Sequence, residues 1–407
     1  MGTVIFMTQV SIPFSAHSSE DWQRQLLKEL KESSNLLQYS NELEDLSFSL
    51  TQLDAAPLLP LINEPITWKR MVAGSATDEK KCNLYFLQAL MQGADAILID
   101  QTNQTTDWAS LLHNIETPYI SCLIVFRTAA AYEHFKSHAN ADALAHATPL
   151  FAFGENQNYF SAFDLQQIGA NCTTQLAVSL YELQQQLKGQ AFSRTLFVEL
   201  GIGSEFLLEI AKLMAFRTLV AQLAQIHNCK LEVQIISKTG FCNKSLEDPY
   251  TNLLRLSTEG LSAVLGCANY ICIQPYDALS TAGSSDFASR MALNIGNLLA
   301  EEAHLATLSA PLSGAYTIEK MSNLLIEKSW NLLYELDSND ANAEPLIQKS
   351  IENARAIRLE RFEQKQDTLI GVNSYKNEFA APKATWGKIP ESYGFPYIIF
   401  EKISSND

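Results

Sequence analysis

Short apolar runs alternate along this chain with longer stretches in which apolar positions recur every three or four residues. The first pattern predicts buried strands and the second amphipathic helices. From Ile66 onward the strand-like runs are Thr67–Val72, Ala94–Asp100, Ile120–Phe126, Pro149–Phe153, Tyr159–Phe163, Thr195–Leu200, Leu231–Ser237 and Tyr270–Gln274. Helical patterns lie between most of them, over 78–92, 105–114, 128–145, 164–188, 203–227 and 247–266. Eight strands with intervening helices predict an α/β protein, a (β/α)8 TIM-type barrel, with a doubly wound sheet left open by pattern alone. No helix fits between Phe153 and Tyr159, and His304–Leu308 reads as a candidate ninth strand.

The stretch Thr239–Glu302 shows the rhythm best. Leu253, Leu254, Leu256, Leu261, Val264 and Leu265 form one apolar helical face, and Gly266 suits its end. Tyr270–Ile273 is a short strand run, and Ser285 can cap a second helix carrying Phe287, Met291, Ile295, Leu298 and Leu299 on one side. Ser18 with Asp21 forms a capping-box pattern for a helix near 19–33, whereas 34–65 is irregular and broken by Pro57, Pro60 and Pro65. Two further helices fit 316–336 and 343–365. The expected organisation is an N-terminal arm over 1–65, a barrel with appended helices over 66–375, and a C-terminal tail over 376–407.

With 407 residues, 47% of them hydrophobic, the chain can bury a large core. A net charge of -16 argues against nucleic acid and against an anionic membrane surface as partners. No apolar run approaches the length of a membrane span, and the N-terminus lacks the basic and apolar regions of a signal peptide, so a cytoplasmic location is expected. The seven cysteines show no CxxC pair and are read as free thiols, buried where they fall in apolar runs, as Cys122 and Cys272 do.

Candidate chemistry is sparse. His134, His138 and His146 share one segment, and the first two are four apart on a predicted helix; lacking a third placed ligand, they are read as part of a polar helix face rather than a metal site. Gly201-Ile202-Gly203 lacks the third glycine of a dinucleotide loop and reads as strand-to-helix turn chemistry. Asp100 and Glu199 fall at or near strand ends, where barrel enzymes place catalytic groups, so a carboxylate pair for acid–base work stays open.

Several segments carry a resemblance. DPY-x-N-x-x-R-x-x-x-E (Asp248–Glu259), SDFASR-x-A-x-N (Ser285–Asn294), the run from Trp68 to Asp100, FSAFDLQQIGAN, LFVELGIGSEFLLEIAKLMAFR and LIGVN (Leu369–Asn373) resemble, in order, pieces of the barrel domain of the methylmalonyl-CoA mutase family. The resemblance runs from about Trp68 to Asn373 and places His304–Leu308 outside the barrel. Catalytic members of that family interconvert methylmalonyl-CoA and succinyl-CoA by a radical rearrangement that adenosylcobalamin starts. Their substrate threads the barrel axis past a Tyr–His pair, and a separate flavodoxin-like domain carries the cobalamin.

This chain departs from that pattern. Phe163 and Asp164 occupy the Tyr–His positions, so the hydroxyl and imidazole that would bond a substrate carbonyl are missing; Asp164 is read instead as a helix N-terminal residue favoured by the macrodipole. PLLPLINEPITW stands where the family has a substrate-contacting RGPYATMY-type segment. IISKTG (Ile235–Gly240) lacks the family's His, and its Lys238 is read as a solvated loop lysine rather than a phosphate contact. Aromatics of Tyr159–Phe163 are expected to fill the axis, and no D-x-H-x-x-G cobalamin motif occurs. The resemblance therefore implies the small (beta) subunit of a heterodimeric mutase, with no catalytic, cofactor-binding or metal residues of its own. Adenosylcobalamin and the acyl-CoA substrate would sit on a large catalytic partner subunit. A catalytic barrel borrowing a separate cobalamin-binding subunit, an unrelated barrel enzyme using Asp100 and Glu199, and an acyl-CoA sensor are the alternatives. Leu58, Leu59 and Leu61 in the arm are expected to be buried by the partner.

Overall fold

A computed structural model describes residues 17–30, 38–49, 65–187, 193–245, 248–278, 280, 283–308 and 311–376. Eight parallel strands form its centre: β1 (Lys69–Ser75), β2 (Ala96–Asp100), β3 (Ser121–Phe126), β4 (Thr148–Phe151), β5 (Tyr159–Ser161), β6 (Ser193–Ile202), β7 (Lys230–Thr239) and β8 (Tyr270–Cys272). Their order in the sheet is β4-β3-β2-β1-β8-β7-β6-β5. The pairing of β8 with β1, Tyr270 opposite Lys69, closes the cylinder and rules out a doubly wound sheet. Only β4 and β5 lack a ladder. There the Asn158 amide donates to the Phe151 carbonyl at 3.0 Å and the Phe151 amide to Asn158 Oδ1 at 2.7 Å, so the loop between them bridges the seam. No helix is needed at that step.

Around the strands lie α1 (Glu79–Met91), α2 (Trp108–Leu111), α3 (Ala129–His138), α4 (Ala141–His146), α5 (Phe163–Gln167), α6 (Cys172–Leu187), α7 (Phe206–Ile226), α8 (Pro249–Leu265) and α9 (Asp286–Asn297). Two long helices follow, α10 (Tyr316–Ser338) and α11 (Ala343–Glu363). Two of the expected helices are each split in two. The helix expected over 128–145 stops at Ala139, where the backbone turns extended and Asn140 caps α4 through the Ala143 amide at 2.7 Å. The helix expected over 164–188 stops at Gly169, whose φ of +104° suits glycine. Thr307–Leu308 does form a strand, but it pairs antiparallel with Ile66–Thr67, outside the barrel.

Alternation along the strands sets the layers. On β3, Cys122, Ile124 and Phe126 pack outward under the helices while Leu123 and Val125 point inward. The inner cluster comprises Met71, Ala96, Leu98, Leu123, Val125, Leu150, Tyr159, Phe197, Ile236 and Cys272, all buried. The axis is thus a packed apolar core. Of the aromatics expected to fill it from Tyr159–Phe163, only Tyr159 does; Phe160 belongs to the outer cluster, and β5 ends at Ser161, so Phe163 opens α5.

The arm is partly structured. Ser18 and Asp21 form the reciprocal capping box of a helix over Ser19–Leu30, each amide bonding the other side chain at 3.1 Å. Within the stretch expected to be irregular, Gln38–Asn41 and Leu46–Ser49 form an antiparallel hairpin. Leu46 and Phe48 are buried against the main core, and Glu44 caps α6 by accepting from the Cys172 amide and, at 3.1 Å, the Thr173 amide. The segment around Leu58, Leu59 and Leu61, most of PLLPLINEPITW, and residues 377–407 lie outside the described residues. Among the described residues, no helix is long and apolar enough to cross a membrane.

Candidate functional site

The C-terminal ends of the strands carry the polar groups. Each end follows an inward-facing apolar position, so the next inward side chain reaches the mouth of the cylinder. Glu199, from β6, is 3% exposed and lies beneath this mouth. The Tyr159 hydroxyl donates to Glu199 Oε2, and Lys238 Nζ from β7 is 3.3 Å from Glu199 Oε1. Lys238 also stands 4.2 Å from the centroid of the Phe163 ring, and that ring meets Phe241 edge-on at 6.4 Å. Across the mouth, Arg127 Nη2 donates to Asp100 Oδ2 at 2.9 Å.

The electrostatics follow from burial beside charge. Burial and the Glu199 and Asp100 carboxylates push the Tyr159 phenol well above its usual value. For Lys238, burial is the largest single influence and opposes the charge, but Glu199, Cys272 and Asp100 together outweigh it and hold the ammonium above its ordinary value. Lys238 is therefore a charged, ion-paired cation with a side chain 19% exposed, not the solvated loop lysine that sequence suggested. Asp100 and Glu199 both reach the mouth, yet each is neutralised by its own cation. Asp164 is the second residue of α5, in the acidic first turn expected of it.

Beside the mouth, the loops after β5, β6 and β7, the hairpin and α11 enclose a cleft of about 580 Å³. Two buried ion pairs stand at this end of the barrel, and sequence reasoning missed both. Lys212 pairs with Glu209, three residues earlier on α7, and Lys244 Nζ bonds both oxygens of Glu259 at 2.6 and 2.8 Å. Glu259 belongs to the DPY-x-N-x-x-R-x-x-x-E motif, whose other members fasten the same corner. Asn252 pairs with the Ser245 backbone at 3.0 and 2.8 Å, and Arg255 Nη2 donates to the Ile370 carbonyl at 2.6 Å. The Ser285 hydroxyl of the second motif caps α9 through the Ala288 amide at 3.1 Å, while its own amide and hydroxyl are held by Asp277. Gly201 and Gly203 serve the strand-to-helix turn: a Cβ at Gly201 would come within 2.1 Å of Gln166 Oε1, and the Gly203 amide donates to Glu209.

The two histidines on α3 lie against each other and against Trp108. The rings of His134 and His138 stack at 4.1 Å, and His134 Nδ1 accepts from the Trp108 indole at 3.1 Å. Among the described residues no group of three or more His, Cys, Asp or Glu is gathered for a metal ion. All seven cysteines are free; Cys82, Cys122, Cys172, Cys267 and Cys272 are buried, and Cys229 and Cys242 partly so.

Fold and mouth define a (β/α)8 barrel whose axis is packed and whose C-terminal face is closed by ion pairs. Comparison with known proteins places it more finely. The family model described as Methylmalonyl-CoA mutase matches residues 159–392, more than half of the chain, and the chain belongs to the methylmalonyl-CoA mutase family. The chain is 30% identical over 244 residues to the methylmalonyl-CoA mutase small subunit of Porphyromonas gingivalis, a match covering 55% of this chain and 39% of that protein. It is 29% identical to the methylmalonyl-CoA mutase of Rhizobium meliloti, over 56% of this chain and 34% of that one. The Porphyromonas gingivalis large subunit is 28% identical over 54% of this chain and 33% of its own length. The match thus spans only about a third to two fifths of these relatives. Among solved structures, a dihydropteroate synthase from Xanthomonas albilineans aligns with 61% of this chain and 99% of its own, with a TM-score of 0.25 and 11% identity, a level that carries no argument.

Proposed function

We propose that this chain is the small, non-catalytic subunit of an adenosylcobalamin-dependent methylmalonyl-CoA mutase. A large partner subunit would bind the cofactor and the acyl-CoA and carry out the isomerisation to succinyl-CoA. The observation that supports this reading most is the packed axis. Nine buried apolar side chains and the Tyr159 ring fill the channel that a catalytic member would need for substrate. Above them Tyr159, Glu199 and Lys238 spend their polar atoms on one another. At the position of the family's His, the Asp164 carboxylate would also oppose the partial negative charge of a thioester oxygen.

The residues at the mouth do not fit a radical cofactor acting down the axis. Phe163 and Asp164 offer neither hydroxyl nor imidazole, and Phe163 lies under Lys238 and against Phe241. No step of the reaction is assigned to this chain. Its contribution in this reading is to present a rigid barrel to the partner, with 1–65 as an arm and 376–407 as a tail. The two Porphyromonas gingivalis relatives, one named a small subunit and one a large subunit, support a two-subunit arrangement.

The test is reconstitution. The chain alone, a cognate large subunit alone and the two together are assayed for methylmalonyl-CoA isomerisation with added adenosylcobalamin. The reading expects a stable complex, with turnover and cobalamin binding tracking the large subunit. Turnover by this chain with only an isolated cobalamin-binding protein would overturn it.

A further inference from the structure

Helices α1 and α9 both pack on β1, and together they leave a pair of ridges uncovered. On α1 the outward positions Lys81, Leu84, Gln88 and Met91 recur at helical spacing, and Leu84 and Met91 are 57% and 87% exposed. On α9 and just past its end, Phe287, Arg290, Asn294 and Leu298 do the same, with Phe287 and Leu298 47% and 51% exposed. Between the ridges lies a groove of about 390 Å³, lined among others by Tyr85, Ala89 and Leu293. Four large apolar side chains on one face are more than the scattered singles of an ordinary surface, and apolar area left in water is relieved by burial.

The face is held rigid from below. Asn297 Nδ2 donates to the Gln92 carbonyl at 3.0 Å, which joins the ends of the two helices. Asn297 Oδ1 accepts from Arg70 Nη1 of β1 at 3.0 Å, and Arg70 Nε is in turn fixed to Asp95 Oδ2 at 2.7 Å. A surface fixed in this way loses little freedom when it is covered.

Charge separates the occupants. In a chain of net charge -16, the two ridges carry Lys81 and Arg290 and no carboxylate, and Asp286 at the groove's end is the one acid lining it among the described residues. Apolar and aromatic side chains with Arg, and few acids, match the core of a protein interface. A second copy meeting this face about a twofold axis would oppose cation to cation, whichever ridge met which. A related but different barrel can carry carboxylates at those points.

We infer that the α1–α9 face seats the barrel of the large partner subunit, with an apolar ridge of that subunit in the groove and its carboxylates against Lys81 and Arg290. This rests on the subunit reading given above and adds where the partner sits. With its 13 residues α1 is about 20 Å long, and two such helices about 10 Å apart present a face of roughly 400 Å². That is about half of what a standard interface buries on each partner, so the face forms the centre of a contact that other surface completes.

The experiment mixes the full chain with a cognate large subunit and measures affinity by sedimentation. The Leu84→Glu/Met91→Glu variant is expected to bind about a hundredfold more weakly, because it sets unpaired charge in the centre of the contact. Both side chains point outward, so its melting temperature is expected to match the native one. Tyr334→Glu, at a position 75% exposed on α10, is expected to bind as the native chain does. Native affinity in the double variant, or equal weakening by Tyr334→Glu, overturns the inference and leaves the subunit reading standing. No complex with the native chain overturns both. A benzophenone amino acid at Met91 supplies a readout that does not depend on the folding of the double variant. Photoproducts joined to the large subunit are expected; products joining two copies of this chain, or none with the large subunit, overturn the inference.

Discussion

Lys238 Nζ lies 3.3 Å from Glu199 Oε1, and neither side chain is more than 19% exposed. The pair closes the barrel mouth as a unit, since the Tyr159 hydroxyl bonds the other oxygen of the same carboxylate. Removing one partner strands the other charge in a dry site. Lys238→Met is expected to destabilise the fold by about 3 kcal/mol, and the Glu199→Gln/Lys238→Met double variant to regain most of that loss. Urea unfolding of the two single variants and the double variant gives the coupling energy directly; purely additive effects would refute the coupling.

Restoring the family's residues at the reacting centre should not restore chemistry. In Phe163→Tyr/Asp164→His the hydroxyl and imidazole return, but Met71, Leu98, Leu123, Phe197 and their neighbours still fill the axis. No isomerisation is expected from that variant, with or without an added cobalamin-binding protein. Measurable turnover would show that the axis opens and would refute the packed-core argument.

Glu44 fastens the hairpin to the barrel. Its carboxylate takes the Cys172 amide, the Thr173 amide and the Thr173 hydroxyl, the last at 2.7 Å. Glu44→Ala is expected to cost about 1–2 kcal/mol, in the range of a lost helix cap. Hydrogen exchange in 38–49 and at the start of α6 should rise first, with the strands of the barrel unaffected.

The buried thiols make the fold sensitive to alkali. Burial raises Cys122 and Cys82 to about 12 and Cys272 to about 11, against 9.0 in an open chain. The unfolded chain therefore loses these protons first. Stability is fully present below pH 9 and falls as pH rises through the folded values, by roughly 1.4 kcal/mol per pH unit for each thiol. Urea midpoints at pH 8, 9 and 10 should show this decline, and Cys122→Ala should flatten it.

Removing residues 1–60 tests the arm. Deletion is expected to weaken association with the large subunit in a pull-down. Unchanged association would dissociate the arm from partner binding and leave the barrel surface as the contact.

Much of the fold was legible because its signals are local. Each of the eight strand runs became a barrel strand, with boundaries shifted by a few residues, since period-two burial and short apolar length identify a strand without its neighbours. The capping pairs Ser18–Asp21 and Ser285–Ala288 were readable for the same reason, because both partners lie within one turn. The hairpin over 38–49 was not, because four-residue strands carry too few positions to show a period. The buried Lys212 and Lys244 were equally hidden, since a lysine looks solvated until its carboxylate is brought beside it.

The sequence by itself determined the barrel rhythm, the family resemblance and the replacement of the Tyr–His pair by Phe163 and Asp164, because residue identity and spacing are properties of the chain. Only the tertiary structure decided that β8 meets β1, that Phe163 leaves the strand to cover the mouth, and that Lys238 answers Glu199 rather than water. Those facts are distances between residues far apart in the chain, and closure of the cylinder sets them.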